Sequence, residues 1–519
     1  MAEIKCENDL IPYIIGDSMI FNLDNNLVQI GPISVKDLSI HDLEVPENII
    51  FRPNDYLTIE FNFFHLFFIH KKRLNVYALK DQIVKLKKIM QISLFAGKKD
   101  WAAELLYRDI NTLNDEDKQF LMVYIQNYLA GKIGHSDILN KLGECFQRFP
   151  ESLQETFRLF LNQELAKRAF AIFKNNDLIS EVEDFDCDSL CFIEYQEGKD
   201  ICLLNHSINI TGDTMMISNP TKVLYQGDRK VRFPTTLLLT RFKPQMVTAL
   251  VAQFRYKLIE NGIAQIGSGD GMAYTPNQDT SCTLIRQNGN TFLLDASVQS
   301  ILKSAYLGVN VYEDDIVALL THGCHGDHGA GLYFIAKIRT FLNINNKLKI
   351  FCHPIVLDNY VEKCAYVYQV EYEGQDIEKV KEEISSLFQC VEPENVVITP
   401  FNTHSVPTTG FYFSSINFYV TGDMSGAELE RNKVIKESNI DITKFYLEKD
   451  LQQFDKIKQF VVDQGFIAME CGQPPIHIPK DLIIDILGGE DNLINKINEN
   501  KLFLYHTSGQ KDASEWVVC

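Results

Sequence analysis

Residues 319–332 read LLTHGCHGDHGAGL. Within them, His322 to His328 hold three histidines and an aspartate, interrupted only by two glycines and a cysteine. Imidazole nitrogens and a carboxylate crowded into one loop are costly to gather unless a cation balances them. Ligands of this kind suit zinc, manganese or iron. The apolar run Ile316–Leu320 leads into the loop and has the character of a buried strand, so the histidines fall at a strand end. Gly323 and Gly326 let the backbone fold tightly enough for His322, His325, Asp327 and His328 to converge. The bland alternative, a polar loop with incidental histidines, is disfavoured by so dense a ligand spacing.

The stretch resembles the signature loop of the metallo-β-lactamase superfamily, in which a strand ends in His-x-His-x-Asp-His. The match runs through His325, Asp327, His328, Gly329 and the Gly331-Leu332 pair. It departs at the first histidine, where the pattern's position is Gly323 and the nearest histidine, His322, lies one residue further back. Either a one-residue bulge returns His322 to the site, or a ligand is missing and the Cys324 thiolate replaces it. Further pieces follow in the family's order. NTHSVPTTG (Asn402–Gly410) resembles the loop of the next histidine, YVTGD (Tyr419–Asp423) the strand end with the bridging aspartate, and YHTS (Tyr505–Ser508) the last histidine. Upstream, residues 263–295 resemble the opening strands and glycine turn. Each piece alone is commonplace; five in order over about 250 residues is a specific signal.

The resemblance implies an αββα sandwich over residues 262–519 and two divalent cations, zinc first, with manganese or iron as alternatives. It implies that His322, His325 and His404 hold one cation and that Asp327, His328 and His506 hold the other. Asp423 bridges them, a water between them is activated for attack, and Asp327 orients it. The branch most resembled is the RNase Z-like one, which includes tRNA 3′-processing endonucleases and cyclic-nucleotide phosphodiesterases. Those endonucleases carry a His-Glu-Ala-Thr motif for proton transfer; Met469-Glu470-Cys471-Gly472 keeps only its glutamate. His353 (in FCHP) and His477 (between Pro475 and Pro479) are expected to be loop histidines rather than ligands.

The elements that must position these residues occupy only half of a 519-residue chain, long enough for two or three domains. Residues 1–240 have an α+β pattern without a recognisable family or sequence repeat. Short apolar runs broken by Gly16, Asn25-Asn26 and Gly31-Pro32 suggest strands to about residue 78. FNFFHLFFI (Phe61–Ile69) is too short for a membrane span and suggests another buried strand. From 80 to 176 the period becomes helical, as in Ile83, Leu86, Met90 and Leu94, and again in Leu153, Phe157, Phe160, Leu161 and Leu165. After the acidic run Glu181–Asp188, Glu197-Gly198-Lys199 suggests a hairpin turn. The strands on either side of the helical segment are candidates for one shared sheet. Residues 241–261 suggest a connecting helix begun by Pro244 and closed by Asn261-Gly262.

Composition narrows the function. The formal net charge is −19, and residues 262–519 contain 20 Lys and Arg against 34 Asp and Glu. A long polyanion would meet net repulsion there, so nucleic acid is not the expected partner. A small phosphodiester, such as a cyclic nucleotide, is. Twelve cysteines without a CxxC pair, and no secretory segment, suggest reduced thiols in a cytoplasmic protein with no membrane association. Three readings stay open: a small-diester phosphodiesterase, an RNase Z-like tRNA endonuclease, and a degenerate metal-binding sensor or scaffold. The N-terminal region is a candidate sensor, dimerisation unit or substrate-guiding lobe, which leaves a homo-oligomer open.

Overall fold

A computed structural model describes residues 10–97, 101–133, 149–164 in part, 190–228, 234–269, 271, 279–342, 347–372, 375–399, 402, 404, 406–423, 465–471, 480–506 and 514–519. The first sheet runs in chain order through β1 (Tyr13–Ile15), β2 (Ser18–Leu23), β3 (Asn26–Ile30), β4 (Asn48–Ile50), β5 (Leu74–Ala78) and β6 (Leu190–Glu194). The first three strands form an antiparallel meander and the last three join in parallel. β6, which follows the helical segment, therefore lies beside β5, which precedes it. A second sheet is the antiparallel meander β7 (Asp200–Leu203), β8 (His206–Thr211), β9 (Thr214–Ser218) and β10 (Val223–Asp228).

Side-chain alternation divides the first sheet into two faces. Met19, Phe21, Val28, Ile30 and Ile50 pack against Ile201, Ile208, Met215 and Ile217 of the second sheet. Ile20, Ile49, Leu74 and Val76 pack the opposite way, against helices Lys80–Phe95, Trp101–Ile110 and Asp115–Leu129. Leu153, Phe157, Phe160 and Leu161 join that core, while Leu165 lies outside the described residues.

The second half is the αββα sandwich expected for residues 262–519. Its first sheet holds β11 (Gly262–Gly267), β12 (Cys282–Gln287), β13 (Asn290–Leu294), β14 (Ile316–Leu319), β15 (Leu348–Phe351) and β16 (Phe388–Cys390). Its second sheet holds β17 (Val396–Ile398), β18 (Phe411–Phe413), β19 (Phe418–Val420), β20 (Phe466–Glu470) and β21 (Leu502–Tyr505). A short β22 (Val517–Val518) edges the first sheet beside β11. Ile285, Phe292, Leu294 and Leu319 meet Phe411, Phe413, Phe418 and Phe503 between the sheets. Their strand neighbours Leu284, Leu293 and Ala318 face the helices Ser300–Tyr306, Gly326–Phe341 and Pro354–Tyr368. On the far side, Ile467, Met469, Leu502 and Leu504 pack under helices Lys480–Leu487 and Glu490–Asn498.

From β11 to β16 the pairings run antiparallel, antiparallel, parallel, parallel, parallel, the same succession as from β1 to β6. The chain thus contains a repeat of topology that its sequence does not display. The helix layers of the two halves face each other and share one hydrophobic core, with helix Lys80–Phe95 against helix Pro354–Tyr368.

Three local expectations are corrected. Phe61–Ile69 is not a strand: Glu60–Phe64 is α-helix, continuing as a π-helix over His65–His70. A run broken only by Asn62 and His65 carries no clear period, and most of this one is buried, where either conformation hides it. Glu197-Gly198-Lys199 is a turn, but β6 and β7 lie in different sheets, so it crosses the sandwich instead of closing a hairpin. Helix Pro244–Phe254 ends in a 3-10 turn at Arg255–Lys257, so Asn261-Gly262 does not cap it. Gly262 opens β11, and Asn261 Oδ1 instead accepts from Asn288 N at 2.8 Å.

Candidate metal centre

The strand ends of the second sandwich deliver the chemistry. β14 runs out at Leu319, and Thr321 and His322 follow it, both completely buried. His325 is the N-cap of helix Gly326–Phe341, which places Asp327 and His328 in that helix's first turn. The extra residue relative to the family pattern is absorbed where Gly323 passes helix Pro354–Tyr368. A Cβ on Gly323 would lie 2.2 Å from Val356 O and 2.6 Å from Tyr360 N, so only glycine fits. From the opposite sheet come His404 after β17, Asp423 after β19, Glu470 at the end of β20 and His506 after β21. Asn402 Nδ2 ties two of these loops together, donating to Thr421 O at 2.6 Å and Asp423 O at 3.1 Å.

Four groups of ligand atoms lie within 4.8 Å of one another: His322, His328 and Asp423; His325, His404 and Asp423; Asp327, His328 and His506; and Asp423, Glu470 and His506. All seven residues singled out in the sequence therefore meet in one volume, and Asp423 is common to three of the groups. His322 Nε2 is 3.3 Å and His328 Nε2 3.1 Å from Asp423 Oδ2. His506 Nε2 is 3.7 Å from both Asp423 Oδ1 and Asp327 Oδ2. His322 Nδ1, His328 Nε2, Asp327 Oδ1 and Asp423 Oδ1 are buried with no hydrogen-bond partner among the described residues. Buried polar atoms are ordinarily paired, so this density of orphans fits divalent cations between them.

Burial drives the histidine and carboxylate charges in opposite directions. Desolvation, followed by the neighbouring His328, pushes His322 well below the usual histidine range, and desolvation likewise lowers His325. It raises Asp327. Desolvation also acts against charge on His328, but Asp423, Asp327 and Asp295 outweigh it and hold that imidazole well above its usual range. Asp423 is held well below the carboxylate range, where His328 and His506 outweigh its burial.

Several supporting residues could not be picked out from the sequence. Asp295, which follows β13 with a left-handed φ of 49°, accepts from Thr321 N at 2.9 Å and from His328 Nδ1 at 2.9 Å. It thereby presents His328 Nε2 to the site. His506 is left-handed too, at φ 58°. Non-glycine residues held there cost about 1–3 kcal/mol each, so the surrounding structure must hold both in place. The other half contributes as well: His325 Nε2 donates to Ser93 O at 2.8 Å, and Glu60 Oε1 accepts from Gly326 N at 2.7 Å. Buried Lys363 bridges Glu60 Oε2 and Cys324 O. A carboxylate at a strand end or ahead of an apolar run is the only trace these residues leave in the sequence.

Cys324 belongs to none of the ligand groups. It packs with Ile92, Ala96 and Val406, where burial raises its thiol far above the ordinary value. His353 caps helix Pro354–Tyr368, its Nδ1 accepting from Ile355 N at 3.2 Å, and burial lowers it to about 4. His477 lies outside the described residues. A cavity of 610 Å³ opens beside the centre, lined by His325, Asp327 and Gly326 on one side and by residues of the first half on the other. No helix among the described residues is long and apolar enough to cross a membrane.

No family model and no curated protein matches the chain. Solved structures that match include a metallo-β-lactamase fold protein, YhfI, from Bacillus subtilis, 16% identical over 48% of this chain and 96% of that one, with a TM-score of 0.28. The chemotaxis sensor ODP, in a peroxy diiron form, matches at 15% identity over 50% of this chain and 95% of its own, with a TM-score of 0.23. A long form RNase Z from yeast matches at 10% identity over 98% of this chain and 95% of its own, with a TM-score of 0.38.

Proposed function

We propose that the second half is a metal-dependent hydrolase of phosphodiesters and that its substrate is small, a nucleotide diester such as a cyclic nucleotide. The observation that carries the reading is the convergence of seven histidines and aspartates from both sheets, six of them buried and Asp423 at their centre, with orphaned atoms among them. His322, His325 and His404 would hold one divalent cation, Asp327, His328 and His506 the other and Asp423 both, with zinc the ion best suited to this donor set. Cations held there supply Lewis acidity for water activation and for the charge that grows on a phosphoryl group.

The chain's own groups do the rest. Asp295 fixes the His328 tautomer and Ser93 O that of His325, so each ring keeps its remaining nitrogen for a cation. Asp327 turns one oxygen to Gly271 N at 3.1 Å and leaves Oδ1 to orient an attacking water. Glu470 Oε1 lies 3.9 Å from His506 Nδ1, close enough to steer that ring through a small adjustment.

Two features support a small substrate. The centre opens on a cavity of nucleotide dimensions, and the surrounding half carries the 14-charge acidic excess, against 30 basic and 35 acidic residues in 1–261. The test is metal analysis followed by kcat/KM on methyl p-nitrophenyl phosphate, cyclic nucleotides and precursor tRNA. Turnover of the small diesters, with affinity nearly constant between about 50 and 200 mM salt, is expected. Precursor tRNA processed far faster, with a steep salt slope, would replace this reading with the endonuclease; metal without any turnover would leave a scaffold.

A further inference from the structure

The cavity beside the metal centre is lined by residues of both halves, and the two linings differ in chemistry. The second half contributes His325 and Asp327. Apolar and aromatic side chains, including Phe61, Val298, Phe334 and Tyr368, also line it. The first half contributes Arg52, in the loop that follows β4, with only 3% of its side chain exposed. Its Nε and Nη2 form a paired bridge to Asp55, at 3.2 and 2.9 Å. Its Nη1 has no hydrogen-bond partner among the described residues. The guanidinium is placed tightly, since a Cβ on Gly31 would lie 2.7 Å from Nη2.

Charge decides which way round a ligand would lie. The first-half lining is acid-rich: Asp55 already neutralises Arg52, and Asp17 and Asp37 outnumber Arg241. A phosphate is therefore unwelcome there and belongs beside the cations. The spare N–H of Arg52 wants an uncharged acceptor, because a buried donor left unpaired costs about 1–3 kcal/mol. The volume, 610 Å³, lies within the range of small-molecule sites. A ligand with an anionic diester at one end, a flat apolar middle and a neutral acceptor at the far edge is a nucleotide.

We infer that this cavity is the base-recognition site of the hydrolase: the nucleobase lies against the aromatic wall, and Arg52 Nη1 donates to a ring nitrogen or carbonyl oxygen of the base. The inference rests on the phosphodiesterase reading and names a specificity-determining residue from the half that lacks metal ligands.

Two variants of the full, metal-loaded chain test it. Val298→Trp fills part of the cavity, and Arg52→Met with Asp55→Leu removes the buried pair together, so that neither charge is stranded. The rates compared are those on 3′,5′-cyclic GMP and on methyl p-nitrophenyl phosphate, which has no nucleoside. Both variants are expected to lower the ratio of the two kcat/KM values at least tenfold, through a raised KM for the nucleotide. Folded, metal-loaded variants that keep the ratio within twofold would overturn the inference. If the wild type turns over neither diester, the hydrolase reading fails by itself, and calorimetric titration with GMP decides the cavity. Binding that Val298→Trp weakens at least tenfold supports the site, and no binding refutes it.

Discussion

The two halves begin with sheets of the same succession and differ in what their loops carry. After β14 the chain places Thr321, His322, His325, Asp327 and His328, and His322, Asp327 and His328 leave buried atoms unpaired. After β4 it places Phe51-Arg52-Pro53-Asn54-Asp55, in which Arg52 and Asp55 pair internally and Asp55 Oδ2 accepts from Arg52 N at 2.8 Å. One loop asks for outside charge; the other pairs its two charges with each other and leaves only Arg52 Nη1 without a partner among the described residues. The second sheets differ as well. The first half has a plain meander, whereas β20 and β21 add in parallel beside β19 and bring in Glu470 and His506. Topology supplies a frame at both places, and the strand-end residues decide whether it can hold metal. The first half still contributes: its Glu60 and Ser93 hold the loop of the second.

The comparison is broken most severely at the shared carboxylate. Asp423→Ala should lose at least one equivalent of metal by elemental analysis and at least a hundredfold in phosphodiester turnover, because a single residue serves three ligand groups. Asp55→Ala, in the other half, should leave the metal content intact and instead destabilise the fold by about 3–5 kcal/mol in urea titration, since it strands Arg52. Full metal occupancy in the Asp423 variant would contradict the assignment.

A smaller effect is expected where the halves touch. Glu60→Ala strands Lys363 and frees Gly326 N, so metal affinity should fall about tenfold, as for other groups that orient ligands. Glu60→Met with Lys363→Met should recover much of the lost stability but not the affinity. Recovery of both would mean that Glu60 balances a charge and does not position the loop.

How much of this was legible follows from where the residues sit in the chain. His322 to His328 are adjacent, so their density shows in one line of sequence, and the apolar runs ahead of Asp423 and His506 mark strand ends. Asp295 is 33 residues from the ring it orients, and nothing in its flanks distinguishes it from a turn aspartate. The first half was opaque because the features that identify such a sandwich from sequence are its ligands, and there they are replaced by Arg52 and Asp55. Glu60 was hidden beside a largely aromatic run whose lack of a clear period concealed both its helical conformation and its contact with the site.

The shifted histidine gives a finer test. His322 faces Asp423 while Cys324, two residues on, packs into an apolar cluster, so the loop's alternation separates ligand from filler. His322→Ala should weaken metal binding measurably, and Cys324→Ala should cost about 1 kcal/mol of stability with metal content unchanged. The reverse order would make the thiol the ligand.

The smallest expected effect concerns acid. Burial works against the charge of Glu60, yet Lys363 and His325 together outweigh it and hold the carboxyl below its ordinary value of 4.5. A carboxylate whose pKa is lowered by folding binds fewer protons in the native state than in the unfolded chain. Its stabilisation is therefore fully present above the ordinary value and is lost as pH falls through the lower, native one. Glu60→Gln removes that dependence, because the amide keeps the shape and an acceptor for Gly326 N but does not titrate. Urea midpoints measured from pH 6 down to about 3 should fall less steeply below pH 4.5 in the variant than in the wild type, even though the variant starts from a lower midpoint. Parallel acid slopes would place the charge pairing of Glu60 outside the stability of the fold, and would leave its hydrogen bond to Gly326 as the whole of its contribution.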